Sequence, residues 1–257
     1  MGTVAFQWED SKLTLLMNRN NYEGQVTKKA TWDESNTILG SWFDKRLRGT
    51  WFGFSKAGRL AFMVEPLREH GGDDELFEYI TRFLKGAIAI NQFSDRVAER
   101  CKNRQSTNVV VVDLDLKSMV YLQKKASSVP IYVKKVGHGV HTLSDTGLDS
   151  ESPKDVRLRE RYHDVIAGNE PPMIDVLVQE LMTDPVQAEQ GNEHSSVFVD
   201  VKSAIEFHLD TQIDLQRYRT TSSTALEVQL DGGKFYQKLF MSNGDCEEDG
   251  FNFSMLI

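Results

Sequence analysis

The side chains best able to bind or react are scattered along this chain. It has six histidines, and the nearest pair, His138 and His141, sits in Gly-His-Gly-Val-His. On a strand this odd spacing sends the two rings to opposite faces, so they make a poor joint metal site. For His141 alone three roles stay open: a hydrogen-bonding role in core or turn, a place in a pocket wall, and axial ligation of a metal, with the first carrying most weight. Cys101 and Cys246 belong to no CxxC or Cys/His ligand spacing. Neither a zinc site nor a disulfide framework is suggested, and a reducing compartment fits. Arg19 and Asn20 end an apolar segment, where a surface ion pair competes evenly with ligand binding. Trp32, Trp42 and Trp51 read as core or pocket wall. The run Lys45-Arg46-Leu47-Arg48 reads as a solvated loop that can hold a carboxylate or phosphate, and Ser222-Ser223-Thr224 as the polar start of a strand. A P-loop, a dinucleotide-binding glycine pattern, a GxSxG elbow and HExxH are all missing.

The elements that carry these residues follow from periodicity. Val4, Phe6 and Trp8 alternate with small or polar residues, and Leu13 to Asn18 returns after a polar turn, so the chain opens with a hairpin. Tyr22 to Phe43 reads as irregular. Thr50 to Ser55 and Arg59 to Val64 flank Lys56-Ala57-Gly58 as a second hairpin. Asp73-Asp74-Glu75 starts a helix whose apolar face is Leu76, Phe77, Ile80, Phe83, Leu84, Ala87 and Ile88, and a second helix spans Ser94 to Lys102. Strands follow at Asn108 to Leu114, Lys117 to Gln123, Ile131 to Val136 and Val140 to Leu143. Pro153 opens a helix to Ala167, and Pro171-Pro172 another to Met182. Asp184 to Glu193 reads as a polar loop, and Ser196 to Val201, Ala225 to Leu230 and Lys234 to Phe240 as the closing strands. Two strand groups alternating with two helix pairs predict an α+β chain in which stacked antiparallel sheets are covered by helices, a four-layer αββα sandwich.

Composition bounds the function. At 257 residues with 40% hydrophobic and 26% charged, residues 1–257 form a single globular domain, and disorder or a disulfide-stapled fold is excluded. Net charge of −8, from 30 Lys and Arg against 38 Asp and Glu, argues against nucleic acid as a partner. The longest apolar runs, Gly86 to Ile90 and Val109 to Val112, are far too short to span a bilayer. The first residues have neither the basic nor the apolar region of a secretory signal, and Phe6 stands where a myristoylation motif prefers Ser or Thr. A cytoplasmic chain is expected.

Leu15 to Tyr22 (LLMNRNNY), Ala30-Thr31-Trp32, Ile38-Leu39-Gly40, Gly49 to Gly53 (GTWFG) and Gly58 to Phe62 (GRLAF) resemble the transport and Golgi organization family, also called the NRDE family. The likeness continues through Asp113 to Tyr121, His141 to Asp145, Leu148-Asp149-Ser150, Ser195 to Asp200 and Tyr218 to Leu226, nearly the whole chain. The resemblance implies the fold of N-terminal nucleophile hydrolases, with similarity to penicillin V acylase and bile-salt hydrolase, and a first strand that starts near Thr3 and lies centrally. In such a site a cysteine at the second position uses its own α-amine as base. The family pattern also has an Arg-Asp pair, two asparagines and a late arginine. Here the matching positions are Gly2, Arg19, Asn20, Glu65, Asp145 and Thr221. Only Arg19 keeps the family residue.

A chain so changed has no thiolate for an acyl-enzyme, and Glu65 and Asp145 place negative charge where an oxyanion would develop. No catalytic residue and no obligatory cofactor are expected. The resemblance instead implies a non-catalytic, chaperone-like role in haem trafficking, with haem as a transported ligand held at Gly2, Arg19, Asn20, Glu65, His141, Asp145 and Thr221. Arg19 would stand near a propionate and His141 would be an axial candidate. The alternatives are an interaction protein of membrane traffic or Golgi organisation, lipid or acyl-CoA handling, and residual amide or thioester hydrolysis. Partners then include haem or another amphipathic anion and membrane-associated proteins, and the resemblance extends the location to mitochondria or Golgi.

Overall fold

A computed structural model describes residues 2–22, 27–42, 49–65, 74–101, 106–168, 172–184, 196–199, 204–209 and 212–256. The Lys45 to Arg48 run and most of the Asp184 to Glu193 loop lie outside these residues. The opening hairpin forms as expected, β1 (Gly2–Glu9) with β2 (Lys12–Tyr22), and Asp10 takes a positive φ of 36° in its tight turn. β3 (Thr31–Trp32) and β4 (Ile38–Trp42) correct the reading of Tyr22 to Phe43 as irregular. Two short strands separated by a polar turn give too little alternation to read, yet Ile38-Leu39 pairs with the next strand. β5 (Thr50–Ser55) and β6 (Arg59–Val64) form the second hairpin.

α1 (Asp74–Leu84) precedes α2 (Ile90–Arg100), which starts four residues before the expected Ser94 because Ile90, Phe93 and Val97 make its buried face. Then come β7 (Thr107–Asp113), β8 (Ser118–Lys124), β9 (Tyr132–Lys135), β10 (Gly139–Ser144) and β11 (Gly147–Leu148). α3 (Pro153–Ile166) is capped by Ser152, whose side chain accepts from the Asp155 N–H. The next helix begins later than Pro172, as α4 (Ile174–Leu177), and continues as a π-helical turn, Val178–Met182. The last strands are β12 (Ala204–Leu209), β13 (Gln212–Gln229), β14 (Gly232–Phe240) and β15 (Cys246–Ser254).

Three further expectations are corrected. Residues 196–199 are not a strand: the Phe198 N–H bonds to Asp184 O and the Val199 N–H to the Thr220 hydroxyl, so these groups serve no ladder. β13 starts well before Ala225: its backbone pairs with β12 over residues 212–217 and with β2 from Tyr218 onward, where the Thr220 and Ser223 hydroxyls donate to Asn20 and Asn18. β15 was hidden by its acidic opening, Cys-Glu-Glu-Asp.

Among the described residues the strands form two antiparallel sheets. One runs β11-β10-β1-β2-β13-β14-β15 with β12 on β13, and the other β3 to β9 in chain order. β1 thus lies in the sheet interior, as expected. The sheets meet face to face through Phe6–Phe62 (5.4 Å between centroids), Phe52–Phe235 (6.4 Å) and Phe54–Phe253 (4.9 Å). α1 packs on the other side of β5, where a Cβ on Gly49 would stand 2.8 Å from the Phe77 carbonyl carbon, so glycine admits the helix. α3, α4 and the π turn bury Leu158, Tyr162, Leu177, Val178 and Leu181 with Ala5, Leu16 and Ala225, on the far side of the first sheet. Each sheet therefore has two apolar faces, which explains the uninterrupted burial of β5 and β7.

Candidate functional site

Cross-strand neighbours share a face, so the registers define rows along the inner side of the first sheet. Phe6, Leu15, Leu226 and Phe235 form one apolar row. The next row is Val4, Met17, Thr224 and Gln237. The last is Gly2, Arg19, Ser222 and Leu239. Polarity thus rises toward one end of the inter-sheet space, and Arg19 is the cation placed there.

Trp51 sits under Arg19, with its ring centroid 5.0 Å from the guanidinium carbon. Among the described residues the guanidinium makes no hydrogen bond and no ion pair within 4 Å. Burial pulls its pKa below the ordinary arginine value, and the charge of Glu65, just past β6, pushes the other way. Glu65 and Arg19 therefore come from opposite sheets to the same end. Thr221 is the extra residue of a β-bulge between Thr220 and Ser222, and its hydroxyl donates to Arg19 O at 3.1 Å.

Asn20 is corrected. It alternates to the opposite face from Arg19, where its Oδ1 accepts from Thr220 Oγ1 at 2.9 Å. Tyr22 follows the same alternation, so Trp51 is the aromatic neighbour of Arg19 and Tyr22 is not. Asn18 lies on that same face; its Nδ2 donates to Met182 O and Val197 O at 2.6 and 2.9 Å and ties off the π turn.

Asp145 follows β10 and lies 3.6 Å from Lys154 Nζ, a buried lysine of α3. Its carbonyl accepts from Asn108 Nδ2 at 3.2 Å, and Ser144 O does so at 3.1 Å. Asn108 Oδ1 accepts in turn from Tyr121 OH at 2.7 Å. Burial pushes the Tyr121 hydroxyl up to about 12, so it remains a donor. This amide hub crosses from one sheet to the other. In the sequence Asn108 reads as an ordinary strand opening, and a lone amide before Val109 to Val112 is the signal it offers.

His141 is removed from Arg19. It pairs with Phe6, four residues along β1 from Gly2, about 13 Å at strand rise. Both ring nitrogens are engaged, Nδ1 with Asp149 Oδ2 at 2.8 Å and Nε2 with Gly137 O at 3.0 Å. Axial ligation would require breaking one of these bonds, so the hydrogen-bonding role holds.

The chemistry open to this end is limited. Gly2 offers no side chain, and the buried Ser222 hydroxyl beside it has no hydrogen-bond partner among the described residues. A serine nucleophile needs a base within reach, and none meets this oxygen among the described residues. What the arrangement offers is a cation over an aromatic face. A separate cleft of about 820 Å³ opens at the other end of the second sheet, lined by Asp33, Ser55, Arg59, Leu84, Asp113 and Leu116 among others, and includes none of the candidate residues. Its charges are matched locally, Arg59 Nε to Asp113 at 3.4 Å and Asp33 to the Thr37 and Ile38 N–H groups.

No curated protein sequence matches the chain. Among solved structures, an arginine-to-leucine variant of conjugated bile acid hydrolase from Clostridium perfringens is similar over 100% of this chain and 97% of that one, with 11% identity and a TM-score of 0.51. A cysteine-to-alanine variant of that hydrolase gives 10% identity, the same coverages and a TM-score of 0.47. The N-acylethanolamine-hydrolyzing acid amidase ortholog of Caenorhabditis elegans gives 12% identity, 88% and 92% coverage and a TM-score of 0.44. At such identity the first likeness is one of fold alone. The model of Transport and Golgi organisation 2 matches residues 1–238, and with that match the chain belongs to the Transport and Golgi organisation 2 family.

Proposed function

We propose that this chain is a non-catalytic carrier of an amphipathic anion, built on a four-layer αββα sandwich whose hydrolase site has lost its nucleophile. The observation that carries this reading is the Arg19 guanidinium, stacked on Trp51, with no hydrogen bond among the described residues, and set beside a glycine. A desolvated cation of this kind is stabilised by a carboxylate or phosphate, and the aromatic face suits the apolar body of the same ligand. Haem, with two propionates on a flat ring, meets both requirements and is the cargo implied by the family resemblance; a fatty acyl carboxylate meets them less fully. Arg19 and Trp51 would hold the carboxylate end, with Thr221 fixing the backbone behind Arg19 and Glu65 limiting the net positive field. His141 offers no free nitrogen, so binding through the propionates rather than through iron is the expectation. Such a carrier would work in the reducing cytoplasm and deliver to mitochondria or Golgi. An interaction role in membrane traffic, the second reading, is favoured by exposed apolar residues from Val129 to Val133.

Titrating haemin against the wild type and Arg19→Ala tests the proposal. A saturable Soret change with micromolar or weaker affinity, about −8 kcal/mol or less favourable, is expected. Arg19→Ala should weaken it by about tenfold or more, the worth of a charge-assisted bond. No saturable change, or equal binding by the variant, overturns the placement.

A further inference from the structure

From Leu116 to Ser144 the chain has no aspartate or glutamate, although it has 38 elsewhere, and this stretch carries Lys117, Lys124, Lys125, Lys134 and Lys135. A locally basic stretch in an acidic protein marks a place where the field changes sign. The structure puts most of it at one edge. Among the described residues β9 closes the second sheet, pairing only with β8, and all four of its residues are exposed.

The same edge carries apolar residues in water. Val129 is 40% exposed, Tyr132 56% and Val133 44%, three large hydrophobic side chains within five residues. The loop before β9 is held in shape from beneath. Lys124 is buried, and its ammonium donates to Ser127 O and Val129 O, so a lysine stem and two carbonyls fix the turn that presents Val129 and Pro130. Lys125, Lys134 and Lys135 are exposed and have no ion pair among the described residues. Lysines on an edge strand ordinarily block pairing with another strand. That role accounts for Lys134 and Lys135, but not for the valines and tyrosine between the two lysine pairs.

We propose that the β8–β9 loop and β9 dock on an anionic lipid surface. The apolar side chains would enter the interface, and Lys125, Lys134 and Lys135 would lie over acidic headgroups. Tyrosine suits the boundary, with an apolar ring and a hydroxyl that stays wet. The preset loop means that little ordering is needed on binding. The proposal is independent of the ligand at Arg19, and it leaves the remainder of the acidic molecule facing away from the membrane.

The test is co-sedimentation of the full chain with vesicles of phosphatidylcholine alone or mixed with phosphatidylserine. Binding is expected only to the mixed vesicles and should fall as salt is raised. Lys134→Glu with Lys135→Glu should weaken it at least tenfold, since each lysine at such a surface is worth about fivefold. Tyr132→Ser with Val133→Ser should weaken it at low salt as well. The charge-matched control Lys85→Glu with Lys234→Glu, and Arg19→Ala, should bind as the wild type does. Unchanged thermal unfolding of each variant excludes misfolding as the cause. Failure to bind mixed vesicles, or binding indifferent to Lys134 and Lys135, overturns the proposal. So does a lipid-free dimer in light scattering that the β9 variants abolish, which would assign the edge to a second copy of the chain.

Discussion

Asp149 shows how a single side chain can hold a histidine away from ligand chemistry. Its carboxylate binds His141 Nδ1 and accepts from the Thr142 N–H at 3.1 Å, while its own backbone sits at a φ of 52°. Burial alone would raise its pKa, but the hydrogen bond and charge of His141 and the Thr142 N–H outweigh that and hold it below the ordinary value of 3.8. A carboxylate with a depressed folded pKa stabilises the fold above its unfolded pKa, and this contribution disappears as pH falls through the folded value. Asp149→Asn keeps a residue type that tolerates the left-handed backbone. It should cost about 1–2 kcal/mol at neutral pH, and the difference from the wild type should shrink below about pH 4. Urea unfolding across that range measures it, and a gap that persists undiminished into strong acid would contradict the role given to the charge.

At the scale of elements, the end of β1 decides what position 2 can carry. A Cβ on Gly2 would stand in hard contact with Asn18 O and 3.3 Å from Asn18 C, so β1 and β2 close only over glycine. Gly2→Cys should therefore lift the strand end rather than rebuild a nucleophile, at about 1–3 kcal/mol for the overpacking. Amide and thioester turnover at background with a lowered melting temperature is the expected pair of results; turnover with unchanged melting would show that the strand has room. The elements most legible in the sequence are those with a clear local signal: the Lys56-Ala57-Gly58 turn of the β5–β6 hairpin, the apolar helical face of α1 and the proline that opens the long helix at Pro153. Legibility failed where polar side chains pair strands. β13 is held to β2 by Ser223 on Asn18 and Thr220 on Asn20, partners two hundred residues apart that no local window joins. The same limit applied to the site. Gly2, Arg19 and Thr221 were identified individually by family resemblance, but the side to which Asn20 turns depends on strand alternation, and the Asn108 hub depends on the second sheet.

Across the whole molecule, the packing of the last strand and the proposed anion site at Arg19 sit at opposite ends of the first sheet. β15 lies beyond the family-matched residues 1–238, yet its Phe251 and Phe253 join the core, and the Leu256 N–H bonds to Lys56 O at 3.0 Å across the two sheets. Phe253 meets Phe54 at 4.9 Å and Trp32 at 5.9 Å, so this last strand clasps the second sheet. Phe253 pairs with Gly233, whereas Leu239 ends the row of Arg19; six residues of strand separate them, about 20 Å. Phe253→Ala should cost about 2 kcal/mol, less than a fully buried phenylalanine because its ring is partly exposed. It should leave binding at Arg19 unchanged. Arg19→Ala should do the reverse, losing the proposed anion while keeping or raising the melting temperature, because it removes a desolvated cation that has no hydrogen bond among the described residues. Thermal unfolding and haemin titration on both variants give the four values needed. If Phe253→Ala weakens binding as much as Arg19→Ala does, the two ends are coupled through the sheet. If Arg19→Ala melts well below the wild type, the guanidinium serves the fold and not a ligand.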